Sequence, residues 1–247
     1  MDMLLHVGTS GVAYKEWKGG FYPEKTAADA MLPFYAARLS TVEINNTFYR
    51  MPRESVLTGW AAAVPEAFRF VLKASQRITH FARLGDDGGA LDYFLLTASV
   101  LGQQLGPTLF QLPPNMKKDL AKLQAFLARL PHRWRAAFEF RHDSWFDDEV
   151  YAALRERDVA LVYAEDEDGA TPLLPTTGWG YLRLRRPAYT AAELEERAAR
   201  VGAQPWAEAF VFFKHEEGAP ALPGTGPLAA ERFQALLRAD PTTDTTL

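Results

Sequence analysis

The chain contains no cysteine. Structural disulfides, Cys-ligated zinc and a thiol nucleophile are therefore excluded by counting. Histidine is scarce as well, five in 247 residues, and no HExxH or comparable spacing joins them, so no metal site is read from the sequence. No glycine-rich dinucleotide fingerprint or Walker-type phosphate loop follows an apolar run. No cofactor is indicated. Nowhere do about 18 apolar residues run together, and Met1 to His6 place no basic run ahead of an apolar stretch. A cytoplasmic protein with no membrane partner is the expectation. A basic excess is missing too: the formal net charge of -4 weighs against indiscriminate nucleic-acid binding, which leaves nucleic acid a possible but disfavoured partner.

What is present is the balance of an ordinary globular domain, with 48% hydrophobic and 23% charged residues and no low-complexity tract, enough to bury a large core. Eight short runs rich in β-branched and aromatic residues recur, at 4–10, 41–47, 69–75, 107–112, 136–142, 160–166, 180–185 and 209–215. Between most of them apolar residues fall at helical spacing, as in Leu120, Leu123, Phe126, Leu127 and Leu130. The gap at 167–179 carries Gly, Pro and Thr where a helix would stand. Strand-helix alternation repeated eight times predicts an α/β fold, a single (β/α)8 TIM-type barrel over residues 1–238 with an irregular connection between strands six and seven. Residues 239–247 lack periodicity and are expected to form a disordered tail.

Particular strings add to this reading. Gly8-Thr9-Ser10-Gly11, Thr41-Val42-Glu43-Ile44-Asn45-Asn46-Thr47-Phe48-Tyr49, Phe110-Gln111-Leu112-Pro113-Pro114 and Phe138-Glu139-Phe140-Arg141-His142 with Ser144-Trp145-Phe146 resemble the YecE-like family, domain of unknown function 72. The resemblance runs from the first strand to the last and implies a barrel fold without a settled activity. The chain departs from the family pattern at Val12-Ala13, Arg185-Arg186 and Lys214-His215, all at strand ends.

Side chains alternate across a strand, so in a barrel residues i and i+2 share the interior or the helix-facing side. Phe110, Leu112, Phe138 and Phe140 then face the helices, and Glu43, Asn45, Thr47, Lys73, Gln111, Glu139, Arg141, Tyr181 and Arg183 face inward. Buried charges must pair or meet a ligand. Near the C-terminal strand ends, where barrel active sites are assembled, Glu43, Glu139 and Lys73 are the candidate catalytic groups. Asn45, Tyr49, Gln111, Arg141, His142, Trp145, Arg183 and Tyr14 are the candidate substrate-binding residues. Tyr14, Trp17, Phe21, Tyr22, Tyr49 and Trp145 serve either as a stacking wall or as anchors for long loops.

Three cations against two acids predict a positive pocket for a small anionic molecule, and hence an enzyme acting on an anionic or phosphorylated substrate. The alternatives are a non-catalytic nucleic-acid or protein binding module and a divalent-metal-dependent hydrolase or nuclease. The second would draw on His80, His142, His215 and Asp166 with the two glutamates. Glycoside hydrolysis by the paired carboxylates is a further, weaker reading.

Overall fold

The structure, a computed structural model, describes residues 3–215 and 218–238. The expected tail at 239–247 lies outside these residues. Eight parallel strands close into a barrel in sequence order: β1 (Leu4–Ser10), β2 (Thr41–Ile44), β3 (Arg69–Lys73), β4 (Leu105–Gln111), β5 (Ala136–Glu139), β6 (Ala160–Glu165), β7 (Trp179–Leu184) and β8 (Glu208–Phe213). Among the described residues the α-helices are α1 (Ala28–Ala36), α2 (Glu54–Ala62), α3 (Ala90–Ala98), α4 (Leu120–Arg129), α5 (Asp148–Glu156), α6 (Ala191–Gly202) and α7 (Gly226–Arg238).

The helices begin where polar side chains satisfy their first N–H groups. Asp119 and Asp147 cap α4 and α5, and Thr190 forms a reciprocal capping box with Glu193 on α6. Their apolar faces cover the outside of the sheet. Phe110, Leu112, Phe138 and Phe140 are all essentially inaccessible there, and Phe110 stacks on Phe138 at 5.1 Å. The period-two reading of strands four and five is thus borne out for the helix-facing side. Gly8 lets β1 approach β2, since a Cβ at this position would collide with the Thr41 carbonyl.

The barrel interior is a second, smaller apolar layer built on Val71, Leu109, Val162, Tyr181 and Phe212. Its N-terminal end is closed by His6 stacked on Phe210 at 4.6 Å and by Arg135, which bridges to Glu208 and lies over Trp179. A cavity is found instead at the opposite, C-terminal end.

The residues between β6 and β7 form no helix, as the sequence predicts. Their role is visible in the hydrogen bonds. The pairing of β5 with β6 covers only Ala137↔Ala160 and Phe138↔Leu161. Two threonines of the connection supply partners along β6: Thr171 Oγ1 accepts from the Ala164 N–H, and buried Thr176 Oγ1 accepts from the Leu161 N–H and donates to the Val159 carbonyl. Thr176→Val would keep the shape and remove both bonds, leaving two buried main-chain groups unmatched. A loss of about 1–3 kcal/mol in urea unfolding is expected. A loss under roughly 0.5 kcal/mol would mean that the connection does not hold β6 in place.

Candidate functional site

Strand register assembles the site at the C-terminal end of the barrel. Ser10 pairs with Glu43 across β1 and β2, and Gln111 pairs with Glu139 across β4 and β5. Arg183, from β7, reaches both acids. Its Nη2 donates to Glu43 Oε1 at 2.8 Å and its Nη1 to Glu139 Oε2 at 2.5 Å, with all three side chains almost fully buried.

Each carboxylate is otherwise well supplied with donors. Glu43 accepts from Ser10 Oγ at 2.8 Å, from Asn45 Nδ2 at 3.0 Å and from the Tyr181 hydroxyl at 2.7 Å. Glu139 accepts from Gln111 Nε2 at 2.7 Å, and Arg185 stands 3.8 Å away. The Gln111 carbonyl in turn accepts from Lys73 Nζ at 2.7 Å. This relay admits one amide orientation, because a flipped Gln111 would turn its NH2 towards an ammonium and its oxygen towards a carboxylate.

The electrostatics separate the acids from the amine. Burial alone would raise the Glu43 carboxyl, but the Arg183 guanidinium and the Tyr181 and Ser10 hydroxyls outweigh it and hold the group at about 2. Glu139 is lowered in the same way: Arg183, Arg185 and Gln111 overcome its burial. Lys73 moves the other way for an amine, down to about 8, because burial and the neighbouring Arg183 disfavour its charge. Its Nζ also sits 4.3 Å from the centre of the Phe48 ring. Near neutral pH the acids are fixed anions, while the Lys73 amine is held below its ordinary range.

Above this cluster is a cavity of about 240 Å³ lined by Ser10, Tyr14, Asn45, Phe48, Tyr49, Lys73, Gln111, Arg183, Arg185, Lys214 and His215. The structure thus brings Glu43, Glu139, Lys73, Asn45, Tyr49, Gln111, Arg183 and Tyr14 to one mouth. Three expected residues do not line this cavity. Arg141 is exposed beyond the end of β5 and makes no ion pair with Glu139; the cation bound there is Arg183. His142 accepts the Ser144 N–H and caps a short 3-10 turn, Asp143–Trp145. Trp145 is fully buried, stacks on Phe140 at 4.7 Å and donates to the Met116 carbonyl, so it ties the loop after β5 to the loop after β4.

For most of the aromatic set the anchor alternative holds. Trp17, Phe21 and Tyr22 are buried loop anchors, whereas half-buried Tyr14 and 73%-exposed Tyr49 line the mouth. Thr47 lies not on β2 but in a 3-10 turn, where its hydroxyl donates to the Ile44 and Lys73 carbonyls.

The residues named for a metal do not converge. Among the described residues no group of three His, Asp or Glu side chains is placed to hold an ion. His215 accepts from the Trp17 indole, His80 meets the Thr79 hydroxyl and Asp166 turns to the Asp168 N–H. Sequence reasoning did not assign site roles to Ser10, Tyr181, Phe48, Arg185 or Lys214. Tyr181 was within reach, since it lies two residues from Arg183 on the same strand face. The Ser10 contact depends on register, which no local pattern announces.

Fold and site together define a parallel (β/α)8-barrel protein with a buried carboxylate–guanidinium cluster at its C-terminal mouth. The chain belongs to the family described as protein of unknown function DUF72, whose family model matches residues 6–246. Among curated relatives it is 29% identical over 159 residues to the UPF0759 protein YunF of Bacillus subtilis strain 168, covering 60% of this chain and 54% of that protein. It is 32% identical over 113 residues to the UPF0759 protein YecE of Escherichia coli K12, covering 45% and 42%. The matches span about half the length of these relatives. A solved DUF72 family protein from Thermotoga maritima MSB8 superposes with a TM-score of 0.78 at 26% identity, covering 95% of this chain and 99% of that one. One from Enterococcus faecalis V583 shares the fold at a TM-score of 0.76 and 19% identity, with 96% of each chain covered. Among the described residues no helix is long and apolar enough to cross a membrane.

Proposed function

We propose that this chain is an enzyme acting on a small anionic substrate, phosphorylated or carboxylated, at the C-terminal mouth of the barrel. The observation that carries the reading is the placement of Lys73, with its amine lowered to about 8, beside Arg185 in a mouth whose two carboxylates are already engaged by Arg183. A general acid or base works best with a pKa near the working pH. Lys73 meets that condition. Glu43, held at about 2, is too weak a base and too strong an acid for the task.

In this reading Glu43 and Glu139 are positioning residues. They hold Arg183 in place and, through Gln111, orient Lys73. Lys73 and Arg185 receive the substrate anion, with Asn45, Tyr14 and Tyr49 around it. Stability is a poor reason for such a cluster. Each buried ion costs several kcal/mol, and well-packed apolar residues in its place are often neutral or stabilising.

Calorimetric titration of inorganic phosphate tests the proposal. Lys73→Met and Arg185→Ala are each expected to weaken binding at least about tenfold, the usual scale of a lost charge-assisted hydrogen bond. Affinity for sulfate, whose charge is constant in this range, should fall in the parent protein as pH rises through about 8, where Lys73 loses its charge, and this dependence should vanish in Lys73→Met. Equal affinity in all three proteins would overturn the proposal, as would a divalent cation binding at Glu43 and Glu139.

A further inference from the structure

Beside the mouth lies a larger cleft of about 580 Å³, between α1 and α2, whose walls are of a different chemistry. Half-buried Val12, Leu32, Ile44 and Trp60 line it, and Phe70 closes its inner side. Asp29, in the first turn of α1, is the one carboxylate among the lining residues, and no lysine or arginine is among them. The cleft adjoins the mouth along Ser10, Tyr14 and Asn45, which line both spaces. A mostly apolar recess of this size next to a few convergent polar groups is the usual form of a small-molecule site.

We propose that the substrate is an amphiphilic acid whose anionic head lies in the mouth while its apolar body occupies the cleft between α1 and α2. The inference rests on the anion reading of the mouth. The charges set the direction of binding: Lys73 and Arg185 attract the head, and Asp29 repels it from the cleft. Apolar surface left open in the cleft is removed from water only if the ligand continues into it.

Gly59 provides a clean way to block the cleft. It sits on the exposed side of α2, lines the cleft, and a Cβ placed there meets nothing within 4 Å. Gly59→Phe, with its ring set in the cleft as a crystal structure of the variant would verify, obstructs the space while removing a helix-weakening glycine, and Gly59→Ala leaves the space open. Octyl phosphate, below its micellar concentration, and methyl phosphate carry the same head with and without an apolar body.

In calorimetry, octyl phosphate is expected to bind the parent and Gly59→Ala at least about tenfold more tightly than methyl phosphate. In Gly59→Phe the ratio should collapse to about one with methyl phosphate affinity unchanged, which also shows that the variant is folded. Arg185→Ala should weaken both esters by the same factor. Equal binding of the two esters to the parent overturns this inference and leaves the mouth reading standing. Survival of the octyl advantage in Gly59→Phe overturns it as well, because the chain would then lie elsewhere. Failure of both esters to bind the parent overturns the mouth reading and this inference with it.

Discussion

Arg183→Met is expected to destabilise the protein by about 3–5 kcal/mol at neutral pH, because it leaves Glu43 and Glu139 buried without their common cation. The pH dependence should change sign as well as size. In the parent, Glu43 has its folded-state pKa depressed from 4.5 to about 2, so its contribution is present above pH 4.5 and is lost as pH falls towards 2. Without Arg183 the largest force opposing burial is gone, although Tyr181, Ser10 and Asn45 still donate to Glu43 and Gln111 to Glu139, and both carboxyls should rise above their unfolded values. The variant should therefore gain stability from these two groups as pH falls from 7 towards 5, where Glu43 and Glu139 contribute no change in the parent. Urea unfolding at several pH values reads both effects. A loss below about 1 kcal/mol at pH 7, with no reversal on acidification, would mean that water screens the cluster and that its burial counts for little.

Trp145→Ala should cost a similar amount, about 3–5 kcal/mol, by a different mechanism. It deletes a fully buried indole stacked on Phe140, opens a cavity under the loop after β5 and strands the Met116 carbonyl. Phosphate affinity at the mouth should stay within about twofold, since Trp145 does not line it. A stable variant with lost phosphate binding would restore Trp145 to the role of ligand wall. An unstable variant that binds normally, measured well below its melting temperature, fits the anchor role described above.

The contrast between these two residues shows how far a local pattern can be trusted. Arg183 lies inside β7, where side chains alternate strictly, so parity alone assigns it to the interior with Tyr181. Arg141, His142 and Trp145 lie past Glu139, where β5 ends and the chain turns into a 3-10 segment. Parity carried across that boundary points Arg141 inward, and it stands exposed instead. Thr47 fails for the same reason, since β2 stops at Ile44. Strand ends are set by when neighbouring strands stop offering hydrogen-bond partners, and that is a property of the closed sheet.

The sequence by itself determined the barrel, its helix-facing aromatic layer and the inward set Glu43, Lys73, Gln111, Glu139 and Arg183. These follow from period-two and period-3.6 spacing, which act over a few residues at a time. Only the tertiary structure decided who pairs with whom. Glu43 and Arg183 are 140 residues apart, and their contact arises because closure brings β7 round to within two intervening strands of β2 about one narrow interior. Closure also determined that Arg183 rather than Arg141 neutralises Glu139, and that Lys73 is left with Gln111 as its partner and a lowered pKa. Register, stagger and burial are collective properties of eight strands, and no single segment contains them.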